Sequence, residues 1–160
     1  RQFQKRIIYL FGQLTTSVGI DISLIFLEAI STTSQFFMNQ ISFEEFIDLF
    51  RTGDKGDQLY VLLEGEISLG LPIDGQSHLR RLSTISPGVV FGEMALLDAQ
   101  PRSAHALADR ASVLKALSRS NFARLREQHP SLFAKMLQNI AHEMSLRLRL
   151  TNQQLRALED

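Results

Sequence analysis

Between Phe46 and Leu117 the chain alternates short apolar runs with clusters of turn-forming residues, and each run has the length of one strand. Phe46-Ile47-Asp48-Leu49-Phe50 predicts a strand, and Gly53-Asp54-Lys55-Gly56-Asp57 predicts a tight turn. Leu59 to Leu63 is nearly continuous in apolar side chains, which fits a strand covered on both faces. Gly65 breaks the run, after which Ile67, Leu69 and Leu71 alternate with Glu66, Ser68 and Gly70. Pro72-Ile73-Asp74-Gly75 carries the Asp-Gly hairpin signal, His78 to Ile85 returns as a strand, and Ser86-Pro87-Gly88 turns the chain into Val89-Val90-Phe91. Ser103 to Ala108 and Ala111 to Leu117 read as closing strands about the turn Asp109-Arg110. Strands at this spacing predict an antiparallel sandwich, roll or barrel.

After Leu117 the period of two gives way to that of a helix. Ser118 or Ser120 is placed to cap a helix carrying Phe122 and Leu125, and Pro130 ends it because the residue before proline disfavours the α region. Along a second, longer helix Leu137, Ala141, Met144, Leu148, Thr151, Leu155 and Leu158 recur at steps of 4, 3, 4, 3, 4 and 3. That is a heptad seam, and it predicts a homodimer joined along these residues. Ile140, Leu146 and Leu150 lie off the seam, which leaves the first part of the helix a second face for packing on the strands. At the other end, residues 1–40 are apolar in blocks, Ile7 to Phe11 and Ile20 to Ile30, and read as two helical segments. Gln13, Asp21 and Glu28 interrupt the run of about 20 apolar residues that a membrane span needs, so no span is expected. The chain thus divides into an N-terminal helical segment without an assigned role (residues 1–42), a β unit (43–120) and C-terminal helices (121–160).

Composition narrows the function classes. With 160 residues there is room for one core of ordinary size rather than two domains. Lys+Arg and Asp+Glu balance at 17 each, so the overall field does not favour a polyanion, and no nucleic-acid binding by this chain is expected. Absence of cysteine excludes a disulfide framework, a thiolate metal site and a catalytic thiol. The four histidines, at 78, 105, 129 and 142, form no H-x-H or H-x-x-x-H pair, so no metal is expected and the cupin type of metal-binding barrel is disfavoured. With no G-x-S-x-G elbow, P-loop lysine motif or paired acid and base, the chain reads as a non-enzyme. It starts without methionine and without a charged segment followed by a cleavable apolar stretch, as expected of a cytoplasmic fragment.

The chemistry concentrates in Phe91-Gly92-Glu93-Met94-Ala95-Leu96-Leu97 and Pro101-Arg102-Ser103-Ala104. Gly92 lets the backbone approach a ligand closely, and the Ala-Leu-Leu run starts a helical turn whose free N–H groups suit an anion. Arg102 supplies a permanent charge whose planar fork matches phosphate oxygens. Glu93 is electrostatically wrong for phosphate and asks for a neutral donor, such as a ribose hydroxyl. Together they suit a nucleotide with few negative charges.

From about Phe43 to the C-terminus this pattern, F-G-E-x-A-L followed by P-R-S-A, resembles the phosphate-binding cassette of cyclic nucleotide-binding domains, the family of the catabolite activator protein and the protein kinase regulatory subunits. The resemblance implies a mainly β fold with flanking helices: an antiparallel β-roll of jelly-roll type, a short helix, and a long C-terminal dimerisation helix without a following helix-turn-helix. It further implies that Gly92, Met94 and Ala95 surround the cyclic phosphate, with the Gly92 and Ala95 N–H groups turned to it. Glu93 would take the ribose 2′-hydroxyl, Arg102 the exocyclic phosphate oxygens, and Ser103 would sit by the phosphate or a base edge. Leu82, Val90, Phe91 and Ala104 would line the pocket, and Thr151 and Asn152 on the long helix are candidate base contacts. Gly53, Gly56 and Gly65 look like the family's turn glycines. The ligand implied is cyclic AMP or cyclic GMP, and the function is that of a regulatory sensor. The alternatives are an interaction module that kept the roll without the ligand, and a detached sensor of a larger transporter, enzyme or transcription regulator.

Overall fold

The computed structural model describes residues 37–75 and 78–159. The helical segments expected at Ile7 to Phe11 and Ile20 to Ile30 lie outside the described residues. Within them, eight strands form two four-stranded antiparallel sheets. One runs in the order β1 (Met38–Phe43), β8 (Ser112–Ser118), β3 (Gln58–Glu64), β6 (Val90–Phe91). The other runs β2 (Asp48–Phe50), β7 (His105–Ala108), β4 (Ile67–Pro72), β5 (Leu79–Ile85). With the helices α1 (Glu93–Asp98), α2 (Arg119–Gln128) and α3 (Pro130–Glu159), this is the β-roll with flanking helices that the sequence implies.

The apolar run on β3 explains the layering. Tyr60 and Leu62 point into the roll with Phe50, Ile67, Phe91, Ala106, Ala108 and Leu114, which joins the two sheets. Leu59 and Val61 point the other way, into a second cluster with Leu117, Leu125, Met136 and Ile140 that seats α2 and α3 on the first sheet. A strand buried on both faces has no polar positions to spare, hence the continuous run.

Local chemistry sets the helices. Ser118 caps α2, its hydroxyl accepting from the Asn121 N–H at 3.2 Å. Pro130 does more than end α2: it is the first residue of α3, where the missing N–H is no loss, and only His129 separates the two helices. Phe122 and Phe133 meet edge to face at 4.9 Å across that corner.

Three features differ from the sequence reading. A strand, β1, occupies Met38–Phe43, ahead of the boundary drawn at residue 43, and pairs along its whole length with β8 from Met38↔Leu117 to Phe43↔Ser112. Phe46 is not in a strand: it has φ 62°, is 71% exposed, and donates its N–H to the Ala108 carbonyl, so β2 begins only at Asp48. Of the off-seam residues on α3, Ile140 packs on the roll with Met136, whereas Leu146 and Leu150 are exposed. The seam residues Met144, Leu148, Leu155 and Leu158 are exposed as well. Among the described residues no helix is long and apolar enough to cross a membrane.

Candidate functional site

β6 ends at Phe91, and Gly92 turns the chain into α1 with φ 71° and ψ 10°. That left-handed conformation disfavours a side chain, and a Cβ here would also stand 2.8 Å from the Arg102 guanidinium. Glu93 is the first residue of α1 and is 2% exposed, Met94 is exposed, and Ala95 is buried. Arg102 is held by backbone on both sides: its N–H donates to the Asp54 carbonyl and its carbonyl accepts from the Gly53 N–H, each at 2.8 Å. The turn before β3 therefore positions the arginine.

The Arg102 side chain is buried, 4% exposed, with its guanidinium 4.2 Å over the Phe50 ring. One terminal nitrogen donates to the Gly92 carbonyl at 2.7 Å and the other to the Gln58 carbonyl at 2.8 Å. Its Nε has no hydrogen-bond partner among the described residues. Burial holds this guanidinium below the ordinary arginine range, opposed by Tyr60, Asp57, Asp54 and Glu93. An anion beside it would favour the charged form. Burial likewise pushes the Tyr60 phenol up, with Arg102 opposing.

Glu93 and Arg102 line one small cavity of about 50 Å³ together with Gly92, Met94, Ala95, Ser103 and Ala104. Phe50 and Leu69 contribute from the strands, and Arg147 from α3. Glu93 accepts from the Arg147 guanidinium at 2.9 Å through Oε1, while its buried Oε2 has no partner among the described residues. The cavity is thus bordered by a buried carboxylate and a buried guanidinium, whose Nε lies toward the turn at Gly56. An unsatisfied buried polar atom costs about 1 to 3 kcal/mol. A ligand offering a hydroxyl and an anionic oxygen would suit the carboxylate and the guanidinium respectively.

Other residues stand elsewhere than expected. Leu82 is 44% exposed on β5 and is not part of the cavity wall. Val90 and Phe91 are buried in the core, Phe91 stacked on Tyr60 at 5.4 Å, and neither lines the cavity. Thr151 and Asn152 are exposed, and Thr151 donates its hydroxyl to the Arg147 carbonyl at 3.0 Å rather than facing the cavity. Arg147, one helical turn earlier, is the α3 residue that reaches it. Extending the buried pair Met136 and Ile140 by helical steps of three and four reaches 143 and 147, so this residue was within reach of the sequence pattern. A second arginine also escaped the sequence reading: Arg119 donates to the Ala95, Leu96 and Gly56 carbonyls at 2.8, 2.9 and 3.0 Å and so ties the end of α1 to the start of α2. Among the described residues no group of three or more His, Asp or Glu is arranged to hold a metal.

The cyclic nucleotide-binding domain family matches residues 40–129. Glutaminase 1 of Bradyrhizobium diazoefficiens is 39% identical over 104 residues, which are 65% of this chain and 16% of that protein. The Cyclic AMP receptor protein of Thermus thermophilus is 36% identical over 102 residues, 63% of this chain and 44% of that protein. The crystal structure of a cyclic nucleotide-binding domain from Methylobacillus flagellatus is similar with a TM-score of 0.73 at 25% identity, covering 81% of this chain and 72% of that one. The chain spans less than half the length of either of these two relatives.

Proposed function

Since the chain belongs to the cyclic nucleotide-binding domain family, we propose that it is the ligand-sensing module of a regulatory protein, binding cyclic AMP, with cyclic GMP as the competing ligand. The observation that carries this reading is the convergence of two buried charged side chains, Glu93 and Arg102, on one cavity beside the first turn of α1. A ribose hydroxyl suits the first and a singly charged cyclic phosphate the second. Exposed seam residues on α3 support a second proposal, that two copies pair along this helix and that nucleotide occupancy reaches the rest of the protein through it. The name of the Thermus thermophilus relative supports cyclic AMP as the first ligand to test.

One observation favours the competing reading of a ligand-free interaction module. Both terminal nitrogens of Arg102 are engaged by the Gly92 and Gln58 carbonyls. Thermal melts separate the two readings. A micromolar binder gains roughly 4 kcal/mol of stability at a thousandfold excess of nucleotide over its dissociation constant, whereas an interaction module gains none. Competition between cyclic AMP and cyclic GMP in the same assay identifies the ligand.

A further inference from the structure

The cavity is about 50 Å³, space for a few water molecules rather than for a nucleotide, since ligand sites commonly measure on the order of 300 to 1,000 Å³. Strand and cassette residues form most of its wall, and the contribution of α3 is one side chain, Arg147. That guanidinium bridges two points of the cassette: Glu93 Oε1 at 2.9 Å and the carbonyl of Val90. Its partner Glu93 is 2% exposed and Arg147 itself is largely covered, at 24%. The same carboxylate is the group that the nucleotide reading assigns to the ribose hydroxyl. A buried carboxylate without a partner is strongly disfavoured, so Glu93 can release the guanidinium only when another donor arrives.

We propose that Arg147 is an autoinhibitory latch, resting on the cyclic nucleotide reading: the arginine and the nucleotide are alternative occupants of the Glu93 site. Entry of the nucleotide breaks the bonds to Glu93 and Val90, and the ribose hydroxyl replaces the guanidinium as the donor to Glu93, while Met136 and Ile140 keep the first part of α3 packed on the roll. The latch lowers affinity, because its bonds are lost whenever ligand binds, and it couples occupancy of the cavity to the placement of the Arg147 side chain. An arginine that instead reached out to the ligand would raise affinity, so the sign of its effect distinguishes the two roles.

Titration calorimetry with cyclic AMP on the full chain, as wild type, Arg147→Met and Arg147→Lys, reads that sign. Methionine keeps an unbranched stem without donors, and lysine keeps the charge but replaces the bridging fork with a single ammonium group. The latch requires affinity to rise by at least about tenfold in Arg147→Met, with Arg147→Lys between it and wild type. A wild type without measurable binding beside an Arg147→Met variant that binds would support it as well. Equal or weaker affinity in Arg147→Met, with the wild type binding, overturns the latch and leaves the nucleotide reading standing. Failure of all three proteins to bind cyclic AMP or cyclic GMP at millimolar concentration overturns both.

Discussion

A Cβ added to Gly56 would stand 2.0 Å from the Cβ of Ala95 and 3.3 Å from Nε of Arg102. The turn before β3 therefore lies directly against α1 and the arginine, and Gly56 is required by this approach, since it is not among the glycines with positive φ. Alanine there has to push α1 away. Gly56→Ala is expected to destabilise the fold by about 1 to 3 kcal/mol, the usual range for overpacking, and to weaken cyclic nucleotide binding in the same step. Urea unfolding and titration calorimetry check the two effects, and a variant equal to wild type in both would refute the contact.

Leu148 and Leu155 are 61% and 55% exposed on the single chain, one heptad apart on the seam. Replacing both with glutamate puts four like charges into a two-chain interface, two from each copy. Light scattering is expected to show monomers for this variant and dimers for the wild type. Persistent dimers would mean that the copies associate elsewhere.

Tyr60 stacks on Phe50 at 6.0 Å, and burial raises its phenol above the ordinary tyrosine value. A raised folded-state value means that the fold favours the neutral phenol. The corresponding stability is complete below the unfolded value, about pH 10, and is lost as pH rises through the folded value. Urea midpoints measured from pH 8 to strongly alkaline conditions should fall more steeply for wild type than for Tyr60→Phe. Identical slopes would contradict the burial argument.

Sequence pattern revealed most of the roll, for reasons that particular residues make clear. Leu59 to Leu62 are buried on two faces and so leave an unbroken apolar run, and the Asp74-Gly75 turn separates β4 from β5 as expected. β1 was missed because Met38–Phe43 reads Met-Asn-Gln-Ile-Ser-Phe, with Asn39 and Gln40 exposed, and its pairing with β8 lies some seventy residues away in sequence. The cassette was legible as a motif, but motif spacing does not say where the nitrogens of Arg102 point. The carbonyls of Gly92 and Gln58, brought together by the ladder between β3 and β6, decide that. The heptad seam marks the exposed face of α3, whereas the face defined by Met136 and Ile140 leads to Arg147 and the cavity.

If the cavity between Glu93 and Arg102 binds a cyclic nucleotide, calorimetry has to separate wild type from Arg102→Ala. The substitution removes the donors to two backbone carbonyls as well, so circular dichroism should first establish that the variant is folded. The expected result is saturable binding of cyclic AMP or cyclic GMP by wild type, and a loss of about 2 to 5 kcal/mol in the variant. Equal affinity in wild type and Arg102→Ala, or no binding of either nucleotide to wild type and to Arg147→Met alike, would refute nucleotide binding at this cavity.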